Sequence, residues 1–457
     1  MGLNLDWEIE AEQTNMNAGG EDPVSARARR LARLRVLLGV LLVLGMFGGL
    51  YGALMWRLNV VDAEIEQALR DTIDAEVTAL RVADRSAYLS VQRSADEAWL
   101  QEQRDLYDLY QRLKTGANTQ LTGEVVALMV DGTRGRAQVQ EIIDGVPYVR
   151  TWFYWRYADG WRHVPPDYTF WGEQQTIEQD GLIVQYQELD ETVAEVVASE
   201  VARWLSIACE ALECDLLPDI TVQIAPDVGD VSVWDANNPW TLRVPSPYVE
   251  RTRQDRPFDG QLKARTAALM AARLVDQALG DTTPAYPADA VFMADAVSDW
   301  LLGEFTGLDA GSYLMNSYAE RYGRGAVGDV MLSMGDGSDI RLLTVPASVS
   351  SINELAVDWR DYLSWRLNTE NELHQRRDLD NYVAMYDVAQ PEISTLAFAR
   401  YNEAIAYEPY TVVAVQPEVQ PDGSPGLVAT VDIGDLGSAR RVEVLFRLSD
   451  GQWKRAE

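Results

Sequence analysis

A run of 21 residues without a charge, Val36 to Trp56 (VLLGVLLVLGMFGGLYGALMW), constrains this chain more than any other feature. Wound as an α-helix it covers the hydrocarbon core of a bilayer, about 30 Å thick. Five arginines (Arg27, Arg29, Arg30, Arg33, Arg35) precede it, and Asp62, Glu64 and Glu66 follow. The positive-inside rule then puts the N-terminus in the cytoplasm and all that follows Trp56 outside, with Tyr51 and Trp56 at the outer interface. A cleaved signal peptide has a shorter leader, a shorter apolar run and a small-x-small cleavage site, none of which is met here. We expect a single-pass protein of the cell membrane, touching lipid through residues 36–56. Within the span, Gly45 and Gly49, like Gly48 and Gly52, stand four apart and permit close approach of a second helix, hence a homodimer. The plainer reading is that glycine is common in membrane helices. Residues 1–35 are polar, without hydrophobic periodicity, and are expected to form a disordered cytoplasmic tail.

The chain of 457 residues is 47% apolar and 24% charged, as folded domains are, but its net charge is -32. Six acids and five arginines in residues 1–35 nearly cancel, so the negative charge lies beyond the anchor. Such a surface repels nucleic acid, and its plainest role is solubility. Of the two cysteines, Cys209 falls on an expected helix from Glu191 to about Glu213 and Cys214 just past it. On a continuous helix they point about 140° apart, so two buried free thiols are expected unless the helix ends between them.

A repeat brackets the middle of the chain. Aligning Asp84 with Asp378 brings Glu76 onto Glu370, Tyr88 onto Tyr382 and Leu89 onto Val383 at one offset. Further on, WFYWRYADGWRH (152–163) matches VLFRLSDGQWKR (444–455), with Asp159 on Asp450. Each copy opens with helices and closes with strands. The strands are joined at Asp131-Gly132, Asp144-Gly145 and Asp159-Gly160 in the first copy, and at Asp422-Gly423 and Asp450-Gly451 in the second. Asp-Gly between alternating apolar runs is a strong hairpin signal. Helices followed by a curved antiparallel sheet resemble the NTF2-like (SnoaL-like) domains. That resemblance implies cone-shaped domains over 57–172 and 361–457, each enclosing a pocket. Trp152, Trp155 and Trp161 crowd the end of the first copy, either as a stacking platform for a flat ligand or as filling for the cone. His163 reads as a strand-end residue.

Between the copies, strands at Gly181–Glu188, Asp219–Ile224 and Thr241–Val244 are expected with helices at Glu191–Glu213, Gly260–Leu279, Ala288–Phe305 and Ser312–Tyr322. FMADAVSDWLLGEFTG (292–307), followed by Tyr318–Gly323, resembles the later helices of gluzincin (peptidase MA-like) metallopeptidases over 173–360. Zinc in that family needs two imidazoles four residues apart with a glutamate between them. The matching helix, KARTAALMAARLVDQALG (263–280), holds neither histidine nor glutamate, and both histidines of the chain, His163 and His374, lie outside this part. The zinc-hydrolase mechanism is excluded on residue type, and no metal or other cofactor is implied.

Aspartates 276, 281, 289, 295 and 299 cluster in sequence beside these helices. Asp295 and Asp299 share a helix face at i and i+4, and with Asp276 they are the cleft candidates for carboxylate chemistry. In a chain with 71 acids, solvated faces and helix ends are the plainer reading. The fold class expected is α+β: one transmembrane helix, then two helix-plus-curved-antiparallel-sheet domains flanking a mostly helical, degenerate gluzincin-like domain. The function expected is non-catalytic binding or scaffolding outside the cytoplasm, of an unnamed ligand or protein. A carboxylate-dependent hydrolase and a transmembrane sensor are the alternatives.

Overall fold

The computed structural model describes residues 23–116, 118–212, 214, 217–229, 231–280, 284, 286–308, 311–335, 337–403, 407–434 and 439–457. Most of the expected tail, 1–22, and Asp281 lie outside these. The architecture is α+β with three sheets. Helix α1, Pro23–Val82, runs for 60 residues, about 90 Å at 1.5 Å per residue. It takes in 23–35, which were expected in the disordered tail. Among the described residues it is the one helix long and apolar enough to cross a membrane, and its apolar window is covered by no other part of the protein.

Past the apolar run, α1 changes character. Leu69, Ile73, Val77 and Leu80 are buried at helical spacing, making a stripe that serves as core. Ala83 (φ 62°) turns the chain. Helix α2, Arg85–Val91, then starts on Asp84, whose carboxylate accepts from Ala87 N at 2.9 Å. Helix α3, Glu97–Gly116, buries Trp99, Gln103, Tyr107 and Tyr110. Four strands follow: β1 (Thr119–Asp131), β2 (Arg134–Ile143), β3 (Val146–Tyr157) and β4 (Gly160–Val164). The expected Asp-Gly turns join them. Asp144 and Gly145 both have positive φ (50° and 80°), the conformation a two-residue type I′ hairpin requires.

The middle part adds β5 (Gln174–Gln179), β6 (Leu182–Gln187), helix α4 (Glu191–Leu212), β7 (Ile220–Ala225), β8 (Val233–Trp234), β9 (Thr241–Pro245) and β10 (Arg251–Arg253). Their sheet order is β5-β6-β7-β9-β8, and β6, β7 and β9 are parallel. Strand β10 instead joins β3 through Tyr148–Arg150. A parallel β6–β7 pair needs a crossover, which α4 provides. Helix α4 buries Val193, Val197, Val201, Trp204 and Ala208 on one face. Helices α5 (Gly260–Leu279), α6 (Asp289–Thr306) and α7 (Tyr313–Tyr322) pack beside it close to their expected bounds, with α8 (Arg324–Leu332), which was not expected. Gly328 of α8 lies against the Ala211 carbonyl with no room for a Cβ.

Helix α4 ends at Leu212, two residues before Cys214, and Cys209 and Cys214 are bridged with Cα atoms 4.8 Å apart. The expectation of free thiols is corrected: the helix does end between the two, which removes the opposed directions that a continuous helix imposes.

The C-terminal part runs α9 (Arg360–Arg376), α10 (Leu379–Ala384), α11 (Pro391–Asn402), then β11 (Tyr410–Val419), β12 (Pro425–Ile433), β13 (Arg440–Ser449) and β14 (Gln452–Arg455), an antiparallel meander in that order. Its opening repeats that of the first copy bond for bond. Asp84 N donates to Ala79 O (2.8 Å) as Asp378 N does to Leu373 O (3.0 Å). Arg377 (φ 59°) turns the chain where Ala83 does. Gln92 bridges to His163 as Tyr386 does to Arg455, so the counterpart of His163 is Arg455, one place beyond the Lys454 of the sequence alignment.

Two compact units make up the chain: one of residues up to 113 with 125–137 and 153–164, the other of 114–124, 138–152 and 165–457.

Candidate functional site

The aspartates of the middle part separate by role. Asp289, in the first turn of α6, is buried; its Oδ2 accepts from Ile340 N and from Tyr362 Oη, both at 3.1 Å, and Arg366 lies 3.5 Å from Oδ1. Burial raises its carboxyl, against the pull of Arg366. Asp361 accepts from Ser312 Oγ and from Leu314 N, fastening the start of α7. Asp276 is exposed on α5, with no hydrogen bond or ion pair from any described residue. Asp295 and Asp299 reach solvent on α6, with no hydrogen bond or ion pair from any described residue. Partial desolvation raises both, and Asp299 is raised further by the like charges of Asp295 and Asp361. The i, i+4 spacing on α6 therefore puts Asp299 within the field of Asp295.

The tryptophans divide between interior and solvent. Trp152 and Trp161 are buried at 7% and 2% exposure, while Trp155 is 44% exposed. None lines a described cavity.

Two buried networks went unread in the sequence. In the first copy, Glu76 is fully enclosed and receives Gln92 Nε2 (2.7 Å), Tyr154 Oη (2.9 Å) and His163 Nδ1 (2.8 Å). Trp99 meets the His163 ring edge-on at 5.7 Å. Burial, then the Glu76 charge, pushes the Tyr154 hydroxyl well up, so it stays a donor. In the second copy Glu370 takes Arg455 Nη1 at 2.7 Å and Tyr386 Oη, with Tyr382 Oη 3.1 Å from the latter. Burial raises Tyr382 to about 12. The identity of Glu76 and Glu370 in the aligned copies was the signal for these centres. Their partners on the closing strands, about 80 residues away, carry none. His163, read as a strand end, is an inward-facing member of the first network.

Two cavities stand apart from these networks. One, of about 590 Å³, opens beyond the carboxyl ends of β7 and β9 at the start of α5, beside Arg251, Arg253, Arg256 and Arg265. The first three of these guanidiniums face Glu141, Asp255 and Asp259, so most of its positive charge is already matched. The other, of about 950 Å³, lies between the irregular stretch Leu355–Trp359 and strands β11 and β12. Its walls are mostly apolar, with Val357, Trp359, Val415, Val419, Leu427 and Trp453 among them. Its size is at the upper end of small-ligand pockets.

Compared with known protein families, curated proteins and solved structures, the chain matches none.

Proposed function

We propose that this chain is a membrane-anchored protein, N-terminus in the cytoplasm and the rest outside, that works by binding rather than by catalysis. In this reading its middle domain is a gluzincin-like fold without zinc chemistry, flanked by two NTF2-like domains. The anchor rests on the apolar window of α1 with arginines before it and acids after it. The Cys209–Cys214 bridge supports the outside location, since disulfides persist in oxidising compartments. The observation that carries the non-catalytic reading is how the buried carboxylates are used. Glu76, Asp190, Asp289 and Glu370 each accept from two or more donors of the fold itself, which holds them as structural anchors. The 950 Å³ cavity is the binding site that this reading favours.

The test is incubation of the purified full-length protein with peptide and glycan libraries, read by mass spectrometry. No turnover is expected. Turnover abolished by Asp299→Asn would overturn the reading in favour of a carboxylate hydrolase, the alternative that the raised Asp299 beside Asp295 supports. Self-association through α1 belongs to the same proposal. Gly45, Gly48, Gly49 and Gly52 have open space where a Cβ would stand. Gly48→Ile is therefore expected to leave the fold intact while weakening a membrane two-hybrid signal; an unchanged signal removes the glycine face from the proposal.

A further inference from the structure

The apolar cavity of the C-terminal part has one open strand edge. Strand β11 is outermost in its sheet. Its first residues are bonded on their outer side, Tyr410 N to Asn368 Oδ1 (3.0 Å) and Val412 N to Ser364 Oγ (2.9 Å). The register then shifts between Val412 and Ala414. Beyond that bulge lies Pro417, which has no N–H and so takes an outward position on an edge strand. Alternation by two turns the N–H and C=O of Val415 and Val419 outward as well. Among the described residues nothing bonds to them, and the Val419 side chain is 77% exposed.

The facing wall, Leu355–Trp359, carries no regular secondary structure, and two of its alternate amides are bonded elsewhere: Ala356 N donates to Tyr322 Oη (3.1 Å) and Asp358 N to Ser317 Oγ (2.8 Å). Between the walls lies Trp453, 1% exposed, whose Nε1 is a buried donor without an acceptor among the described residues. Trp161 holds the corresponding place in the first copy and also lacks an acceptor among them, but it packs near Leu69 and Gly135. In the second copy the indole lines a cavity, where an incoming acceptor satisfies it.

We propose that this groove binds an extended apolar peptide, which adds as a strand to the outer edge of β11 at Val415 and Val419 and offers a backbone carbonyl to Trp453 Nε1. Main-chain pairing gives such a complex its affinity, and pockets for alternate side chains give it selectivity. The inference rests on the binding reading above and names the ligand class for its site.

The test uses full-length protein in detergent and a fluorescein-labelled, end-capped peptide Lys-Thr-Val-Thr-Val-Thr-Val-Lys, read by anisotropy. Val415→Pro removes an outward N–H that the sheet does not use, and is expected to weaken binding about tenfold; Trp453→Phe is expected to weaken it a few-fold. Because either variant can disturb the sheet, the wild-type protein is also titrated with two N-methylated peptides. One is methylated at the valines and the other at the intervening threonines. A strand bonded along one edge tolerates one set and loses binding with the other. Equal binding of both sets overturns the proposal, as does failure of the unmodified peptide to bind. So does binding of oleate or of a second copy of the chain with the peptide excluded; all three outcomes leave the non-catalytic reading standing. Cleavage of the bound peptide would instead overturn that reading and leave the strand-binding site intact.

Discussion

Replacing Arg455 with methionine tests whether the buried centre of the second copy is an ion pair that must be kept whole. Arg455 and Glu370 have side chains only 11% and 10% exposed, 2.7 Å apart. Removing the guanidinium leaves the Glu370 carboxylate enclosed with the Tyr386 hydroxyl as its remaining donor. Breaking one side of a buried pair costs about 3–5 kcal/mol, because a charge is stranded away from water. If that is the cause, adding Glu370→Gln must recover most of the loss. The amide oxygen still accepts from Tyr386, and only an unpaired amide N–H₂ and the lost contact of Arg455 Nε with the Glu457 carbonyl (2.7 Å) remain, about 1–2 kcal/mol. Multidomain unfolding is rarely two-state, so the assay is local: hydrogen–deuterium exchange in peptides covering 360–376 and 440–457. The double variant should protect these segments better than Arg455→Met alone. A double variant as unprotected as the two single losses added together would refute the stranded-charge argument, and a packing role for the Arg455 side chain would replace it.

Gly328→Ala should destabilise the middle part by about 2 kcal/mol or more, since the new methyl meets the Ala211 backbone rather than a yielding side chain; a urea midpoint equal to wild type would contradict this. Asp299→Asn should stabilise the fold at pH 7 by no more than about 1 kcal/mol, the side chain being open to solvent. A carboxyl raised in the folded state contributes its stability below the ordinary carboxylate range and loses it as pH rises through the folded value. The gap between variant and wild type should therefore close on acidification, and thermal melts from pH 7 down to 3 check the sign. The Cys209–Cys214 bridge removes only a short loop's worth of entropy from the unfolded chain, so reducing it should cost about 2 kcal/mol, measured by melts with and without reductant.

Local chemistry was legible where it acts over a few residues. The apolar stripes of α4, α5 and α6 marked these helices nearly to their ends, and Asp-Gly pairs marked the hairpins, including the positive φ of Asp144 and Asp450. What depends on distant partners was not legible. Nothing about His163 in its strand shows that it will meet Glu76, 87 positions away, and its counterpart Arg455 differs in residue type. The parallel pairing of β6, β7 and β9 likewise depends on the crossover through α4 rather than on any one strand. The disulfide turned on whether a helix ended at Leu212, a boundary finer than periodicity resolves. Among the aspartates, spacing put Asp295 and Asp299 on one face of α6. It could not show that Asp289 would be enclosed by Arg366 and Tyr362 or that Asp361 would complete the charged group.

Helix α1 is unbroken from Pro23 to Val82, and Glu76 sits on its final turns. Such a rod lacks the loop or proline kink at which a helix most readily bends. A twist or a piston stroke applied to the apolar segment would be carried along it towards the Tyr154–Glu76–His163 centre, in the manner of a drive shaft. The phase of that shaft is set by residue count alone. One residue inserted between Trp56 and Leu69 would turn the folded end by about 100° and lift it by about 1.5 Å against the apolar end, with every internal contact of the outer part unchanged.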